Sequence, residues 1–269
     1  MSASSSPLLF TEVSSISGII SSIRLKFASN ITKDIQWRLE NLRGLLRLVT
    51  ENEKIICNAI TADIGRSYFD AWFYEILQIE MELKYVISNL SSWMKPEFKS
   101  VPIWQQPGQA YVIREPLGTV LIIGAWNFPF TLCLSPLIGA IAAGNCCVLK
   151  PSEVAQNAAT LLQQLLPRYV DSSAIVCIQG GAIETGVLLK QKFDHIFYTG
   201  NGAVGRLVLE AAAPFLTPVT LELGGKNPTY VDENSNIDVA ARRIVWGKFC
   251  NCGQVCIGML YFQHKIIIL

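Results

Sequence analysis

The residues best suited to chemistry fall in four short clusters between positions 124 and 256. The last of them, Leu221-Glu222-Leu223-Gly224-Gly225-Lys226 followed by Asn251-Cys252-Gly253-Gln254-Val255-Cys256, pairs a carboxylate with a thiol. A cysteine in a glycine-containing turn can be exposed and activated as a nucleophile. Glu222, set among apolar residues and glycines, is placed to act as a general base. Gly124-Ala125-Trp126-Asn127-Phe128-Pro129 follows an apolar run directly. There the Asn127 amide can donate to a developing oxyanion, though an asparagine in that setting also serves as a plain turn residue. Lys150-Pro151-Ser152-Glu153 puts a cation and an anion where they can meet ribose hydroxyls or a phosphate. The alternative is a strand–helix turn with Pro151 at the first helical position. Thr199-Gly200-Asn201-Gly202-Ala203-Val204-Gly205 matches G-x-G-x-x-G, a phosphate cradle when it lies between strand and helix. It follows the fourth apolar run, whereas the usual dinucleotide fingerprint follows the first. Cys250, Cys252 and Cys256 raise a metal reading, but His195 and His264 are the only histidines, and neither a C-x-x-C pair nor a second ligand cluster occurs, so no metal is expected.

These clusters need a frame. From Gly118 onward the short continuous apolar runs TVLIIG, NCCVLK, AIVCIQG, HIFYTG and PVTLEL start near residues 119, 146, 174, 195 and 218, the first four each followed by a helix-length segment. Continuous rather than alternating runs, separated by helices, predict a parallel sheet covered on both faces, a doubly wound, Rossmann-like α/β fold. Ahead of it, residues 33–96 read as two long helices, the first ended by Gly65, with Leu39, Leu42, Leu46 and Val49 at helical spacing. Residues 100–116 read as loops and a hairpin, and the serine-rich first twenty residues as a loose arm. The division expected is residues 1–222 as N-terminal helices plus a nucleotide-binding domain, then residues 223–269 as the start of a second domain too small to close a core.

Composition narrows the partners. The sequence is 51% hydrophobic and 16% charged with a formal net charge of +1, which offers no electrostatic case for nucleic acid or an acidic membrane face. No apolar run is long enough to span a bilayer. Several of the eight cysteines lie inside apolar stretches, as buried free thiols do, and without a signal-peptide pattern the reducing cytoplasm is the expected location.

Taken in order, GAWNFPF, LKPSE, FYTGNGAVG, TLELGGKNP and NCGQVCI resemble the aldehyde dehydrogenase superfamily, and PLIGAIAAGNCCVLKPSE with AAAPFLTPVTLELGGKNP resembles its class 3 branch of fatty and aromatic aldehyde dehydrogenases. The resemblance covers residues 15–257. It implies an atypical Rossmann domain whose glycine motif follows the fourth strand, NAD or NADP as cofactor, an aldehyde substrate and a homodimer with 100–116 on the oligomerisation surface. By the same resemblance Cys256 is the nucleophile, Asn127 holds the oxyanion and Glu222 activates water. Lys150 and Glu153 then meet the adenosine ribose, Gly200, Asn201, Gly202, Ala203, Val204 and Gly205 lie along the phosphates and adenine, and Trp126 with the backbone at Leu223 lines the nicotinamide side. Gly202 departs from the threonine more usual there. Glu222 favours release of a free acid over transfer to coenzyme A. Because the match stops at Ile257, the resemblance implies a chain truncated after the nucleophile loop, its last dozen residues foreign to the fold and its own turnover poor or absent. On that view the exposed face costs solubility, to which the β-prone tail Lys265–Leu269 adds. The alternative is a non-catalytic nucleotide-binding fragment that pairs with longer subunits or has a structural role.

Overall fold

The computed structural model describes the backbone of residues 9–264 and the side chains of residues 9–259. Helix α1, Val13–Ala28, begins inside the stretch expected to be loose and takes up its last eight residues. Its Ile16, Ile20 and Ile23 are at most 2% exposed, spaced four and three apart so that they share one face. The serines between them dilute the composition without touching that face, which is why a helix forms there. Thr11 pins its start: its N–H donates to the Gln179 carbonyl at 2.9 Å, and its hydroxyl accepts from Gln179 N–H at 3.0 Å.

The helical region ahead of the sheet also differs in detail from two long helices. Helix α2, Ile35–Glu51, is capped by Asp34, and α3, Glu53–Ile64, ends at Gly65 with φ +70° as expected. Between them Asn52 breaks the run. Its amide donates back to the Leu48 carbonyl at 2.9 Å and across to the Tyr169 hydroxyl at 2.8 Å, side-chain bonding that competes with helix continuation. The next helix starts earlier than its apolar pattern indicated, because Ser67 caps α4, Tyr68–Ala71. It then passes through a π-helical turn, Trp72–Ile76, into α5, Leu77–Trp93. A hairpin follows, with β1, Glu97–Lys99, antiparallel to β2, Ala110–Val112. β2 lies inside the expected segment 100–116 and β1 just ahead of it, while Pro102 and Pro107, which lack ladder donors, sit in the connection between them.

The central sheet holds β3 Thr119–Ile123, β4 Cys146–Lys150, β5 Ile175–Cys177, β6 His195–Gly200 and β7 Val219–Leu223, all parallel in the order β5-β4-β3-β6-β7. Each begins within one residue of its expected start. Their connecting helices are α6 Thr131–Ala142, α7 Gln156–Tyr169, α8 Ala182–Leu189 and α9 Gly202–Ala212. Helices α1, α8 and α9 cover one face; α6 and α7 cover the other, with α2 and α5 packed outside them. Every residue of β3 and β4 is buried, which is why those runs are continuous rather than alternating.

Beyond Leu223 the chain forms β8 Asn227–Val231, α10 Ile237–Phe249 and β9 Met259–His264, with β9 parallel to β8. The residues after Ile257, expected to be foreign to the fold, thus reach a strand position, and the pairing runs from Asn227 opposite Met259 to Val231 opposite His264. Residues 265–269, the β-prone tail, lie outside the described residues. Among the described residues no helix is long and apolar enough to cross a membrane.

Candidate active site

The β3/β6 pair is where the strand order reverses, and such switch points open a crevice beyond the carboxyl ends of the strands. A cleft of about 1000 Å³ lies there. Strands β3, β4, β6 and β7 each contribute to it. After β3 come Gly124, Ala125, Trp126 and Asn127; a Cβ at Gly124 would run into the Cys133 sulfur, so glycine is what lets the chain turn down into α6. At the end of β4, Lys150 is 4% exposed, and its ammonium lies 2.7 Å from Glu153 Oε2. Burial works to raise the Glu153 carboxyl, but the Lys150 hydrogen bond, a backbone N–H and the Lys150 charge hold it below the usual range. Helix α7 begins only at Gln156, so Pro151 belongs to a longer loop and is not its first residue.

The glycine motif divides between two roles. Gly200, Asn201 and Val204 line the cleft, while Gly202, Ala203 and Gly205 do not. Asn201 caps α9 by accepting from Val204 N–H at 3.0 Å. A Cβ at Gly202 would meet nothing within 4 Å, whereas one at Gly205 would stand 3.2 Å from Leu223 Cδ2 and 3.5 Å from Leu221 Cδ1. Gly205 therefore serves close packing of α9 on β7. Thr199 is 7% exposed, lines the cleft, and has a buried hydroxyl oxygen with no partner. Glu222 and Gly224 line the cleft from β7, but Leu223 between them turns toward Gly205 instead. Gly181, Ala182 and Thr185 at the start of α8 complete the wall. Sequence reasoning passed over them, although Gly180-Gly181 directly after an apolar run was the available signal.

Gln254 and Cys256 close the cleft on the remaining side. The turn that carries them is bent: Asn251 (φ 50°, ψ 37°) and Cys252 (φ 56°, ψ 29°) stand in the left-handed region, followed by Gly253 at φ 78°. For non-glycine residues that conformation costs on the order of 1 kcal/mol or more each, so outside contacts must hold it. Asn251 Nδ2 donates to the Asn127 carbonyl at 3.0 Å, and Asn127 Nδ2 donates in return to the Gln254 carbonyl at 2.9 Å. Asn227 Nδ2 donates to the Cys256 carbonyl at 2.8 Å and to Gly258 at 3.0 Å. The remaining support comes from two residues without any sequence signal. Arg66 donates from Nε to Asn251 Oδ1 at 3.0 Å, from Nη2 to the Asn127 carbonyl at 2.6 Å, and from Nη1 to Glu75 Oε1 at 2.7 Å. Its guanidinium also lies 4.5 Å from the Phe128 ring centre. Glu75, in the π-helical turn, is fully buried and accepts from Phe130 and Thr131 N–H at 2.8 and 3.0 Å. Burial pushes its carboxyl up to about 7 against the pull of Arg66 and those two amides.

Asn127, Glu222 and Cys256 thus face one cleft, with Glu222 exposed and the other two half-buried. A doubly wound sheet with a crevice of this kind defines an α/β protein with its ligand site at the switch point of the sheet. The aldehyde dehydrogenase family pattern matches residues 16–266, past the Ile257 limit read from the sequence. The chain belongs to that family. It is 48% identical over 239 residues to aldehyde dehydrogenase family 3 member A2 of Pongo abelii, covering 89% of this chain and 49% of that relative. It is 46% identical over 249 residues to the dimeric NADP-preferring aldehyde dehydrogenase of Canis lupus familiaris, covering 93% and 55%. The substrate-bound Staphylococcus aureus AldH superposes with a TM-score of 0.90 at 39% identity, over 93% of this chain and 54% of that one. The chain spans about half the length of the curated relatives it matches.

Proposed function

We propose that this chain carries the cofactor cleft and the reacting thiol of an NAD(P)-dependent oxidation of an aldehyde to a carboxylic acid. One observation carries the reading: a thiol, an amide donor and a carboxylate from three separate segments converge on one cleft at the carboxyl edge of the sheet. A dinucleotide fits the residues present. The unpartnered Thr199 hydroxyl, the buried Lys150 with its half-exposed partner Glu153, and the amino end of α9 at Asn201 and Val204 offer hydrogen bonds to hydroxyls and phosphates. Trp126 lines the same cleft. When bound, NAD or NADP supplies the two-electron acceptor that takes the hydride.

The chain's own groups do the rest. Cys256 Sγ, as thiolate, bonds to the aldehyde carbon, and the carbonyl oxygen becomes an oxyanion held by an Asn127 amide hydrogen and the Cys256 N–H. An amide nitrogen carries two hydrogens, so Asn127 can keep its bond to Gln254 and still donate into the cleft. Loss of the hydride leaves a thioester on Cys256. Glu222 takes a proton from water, the water oxygen bonds to the acyl carbon, and the carbon–sulfur bond breaks to return the thiolate and release the acid. We assign residues 223–264 to the start of a second domain, the exposed hairpin β1–β2 to contact between subunits, and the chain to the cytoplasm, where its eight free thiols persist.

The exposed apolar side chains of α10 favour a second reading in which the chain alone binds cofactor and turns over poorly. Cofactor-dependent oxidation of an aliphatic aldehyde by the purified chain, with Cys256→Ser beside it, separates the two. Turnover lost in the variant establishes the first reading; no turnover with cofactor binding retained in calorimetry establishes the second.

A further inference from the structure

Arg66 and Glu75 touch nothing in the chemistry above, yet they stand behind both loops that perform it. Arg66 follows the Gly65 cap of α3, and Glu75 occupies the π-helical turn that runs into α5. Their side chains are 3% and 0% exposed. A guanidinium offers donors in a fixed planar fork, and here one fork spans two segments distant in the chain: Nη2 holds the Asn127 carbonyl while Nε holds the Asn251 amide oxygen. Glu75 fixes the fork from behind with one oxygen and grips Phe130 and Thr131 with the other, so the segment from Asn127 to Thr131 is held at both ends. Asn251 is one of the two left-handed non-glycine residues of the thiol turn. The contact therefore falls where the turn needs it.

We propose that Arg66, oriented by Glu75, is a positioning residue that locks the Cys256 turn against the Asn127 loop and so sets the distance between nucleophile and oxyanion donor. The proposal rests on the roles assigned above to Cys256 and Asn127, but its mechanical part can be read without turnover. Lysine at position 66 keeps the charge and loses the fork. Glycine at 251 accepts the left-handed backbone and loses only the side-chain bonds, leaving the buried Arg66–Glu75 pair in place.

The experiment is hydrogen exchange, with iodoacetamide alkylation of Cys256 followed by mass spectrometry, on the full chain and on Arg66→Lys and Asn251→Gly. Exchange in residues 250–256 and alkylation of Cys256 are expected to speed up at least tenfold in both variants, while the amides of β3 and β4 keep the parent's protection. Changes under twofold at the turn overturn the proposal. A uniform rise in exchange that includes β3 and β4 also overturns it, because Arg66 then serves overall stability alone. Should Arg66→Lys fail to fold, Asn251→Gly decides. Where the chain turns over aldehyde, kcat falls in both variants with the KM for cofactor unchanged. A chain without turnover whose turn still responds as expected removes the assigned chemistry and leaves the lock standing.

Discussion

The β3-α6-β4 unit and the β8-α10-β9 unit share one plan, two parallel strands joined by a helix, and bury almost nothing alike. In the first, both strands are wholly buried, and α6 adds Cys133, Leu134, Leu137, Ile138 and Ile141 to the core. In the second, α10 has no buried residue, and among the apolar side chains described there Val231 alone is buried. Trp246 is 66%, Phe249 69% and Ile257 81% exposed. One unit is held by its own core and the other by a few hydrogen bonds to its neighbours. The thiol sits on the second. Its position is thus borrowed from outside, from the first unit through Asn127 and from the junction of α3 and α4 through Arg66.

The largest expected effect tests that contrast directly. Leu121→Ala, at a fully buried position in β3, should cost about 2–5 kcal/mol, whereas Trp246→Ala should change stability by less than about 0.5 kcal/mol. Urea unfolding of both variants measures it. A Trp246 variant as damaging as the Leu121 one would mean that α10 is covered in solution, and the contrast would break.

Next in size is the division of labour across the cleft. If Asn127 holds the oxyanion as proposed, its loss costs about 3 kcal/mol in the barrier, and Asn127→Ala should lower any aldehyde oxidation by the chain roughly a hundredfold. Asn227→Ala removes the bonds to the Cys256 and Gly258 carbonyls from within the second unit. Those are two ordinary neutral hydrogen bonds of about 1 kcal/mol each, so a loss of at most roughly thirtyfold is expected. Equal losses in kcat would show that the second unit supports its thiol as firmly as the first supports the oxyanion.

The thiols carry the same contrast in a form that requires no activity. Cys57, Cys133, Cys146 and Cys147 are buried, Cys250 and Cys256 half-buried and Cys252 exposed. Brief alkylation near pH 8 should label Cys252 and Cys256 and spare the buried four until urea is added. Burial also pushes the Cys57 thiol up to about 11, with Glu53 and Glu75 adding to it, and burial with Asp171 pushes Cys146 up to about 12. A thiol raised on folding stabilises the fold fully below its unfolded value near 9 and loses that contribution as pH climbs through the folded value. Stability should therefore decline between about pH 9 and 12. A melting temperature flat across that range would mean the core opens to alkali as readily as the loop.

What was legible in the sequence follows the same line. The five strands stood out because strands covered on both faces must be continuously apolar, and the clusters after β3, β4, β6 and β7 followed from them. Helix α1 was hidden, since three isoleucines among serines make a face without making a composition. The break at Asn52 depends on Tyr169, over a hundred positions away. Arg66 and Glu75 gave no sign because their meaning lies in long-range partners: Arg66 reaches Asn127 across 61 positions and Asn251 across 185. The glycine motif was read too evenly, because a six-residue pattern does not say which glycine faces the cleft and which faces a strand.

The smallest effect concerns the end of β4, in the well-packed unit. Glu153 lies at the end of β4, where a carboxylate can accept from a ribose hydroxyl and repel a phosphate in its place. Lys150, 2.7 Å away, offsets part of that repulsion, and with a side chain 40% exposed the carboxylate is further screened by water. The remaining discrimination should be roughly 1 kcal/mol, the scale of two unit charges about 4 Å apart when screened as in bulk water. Glu153→Gln removes the charge and keeps the acceptor, so NADP binding should tighten about fivefold while NAD binding changes less than twofold. Calorimetry with both cofactors decides it. Equal shifts for the two would place Glu153 away from the ribose, and the ribose would then have to be held by residues beyond the Lys150–Glu153 pair.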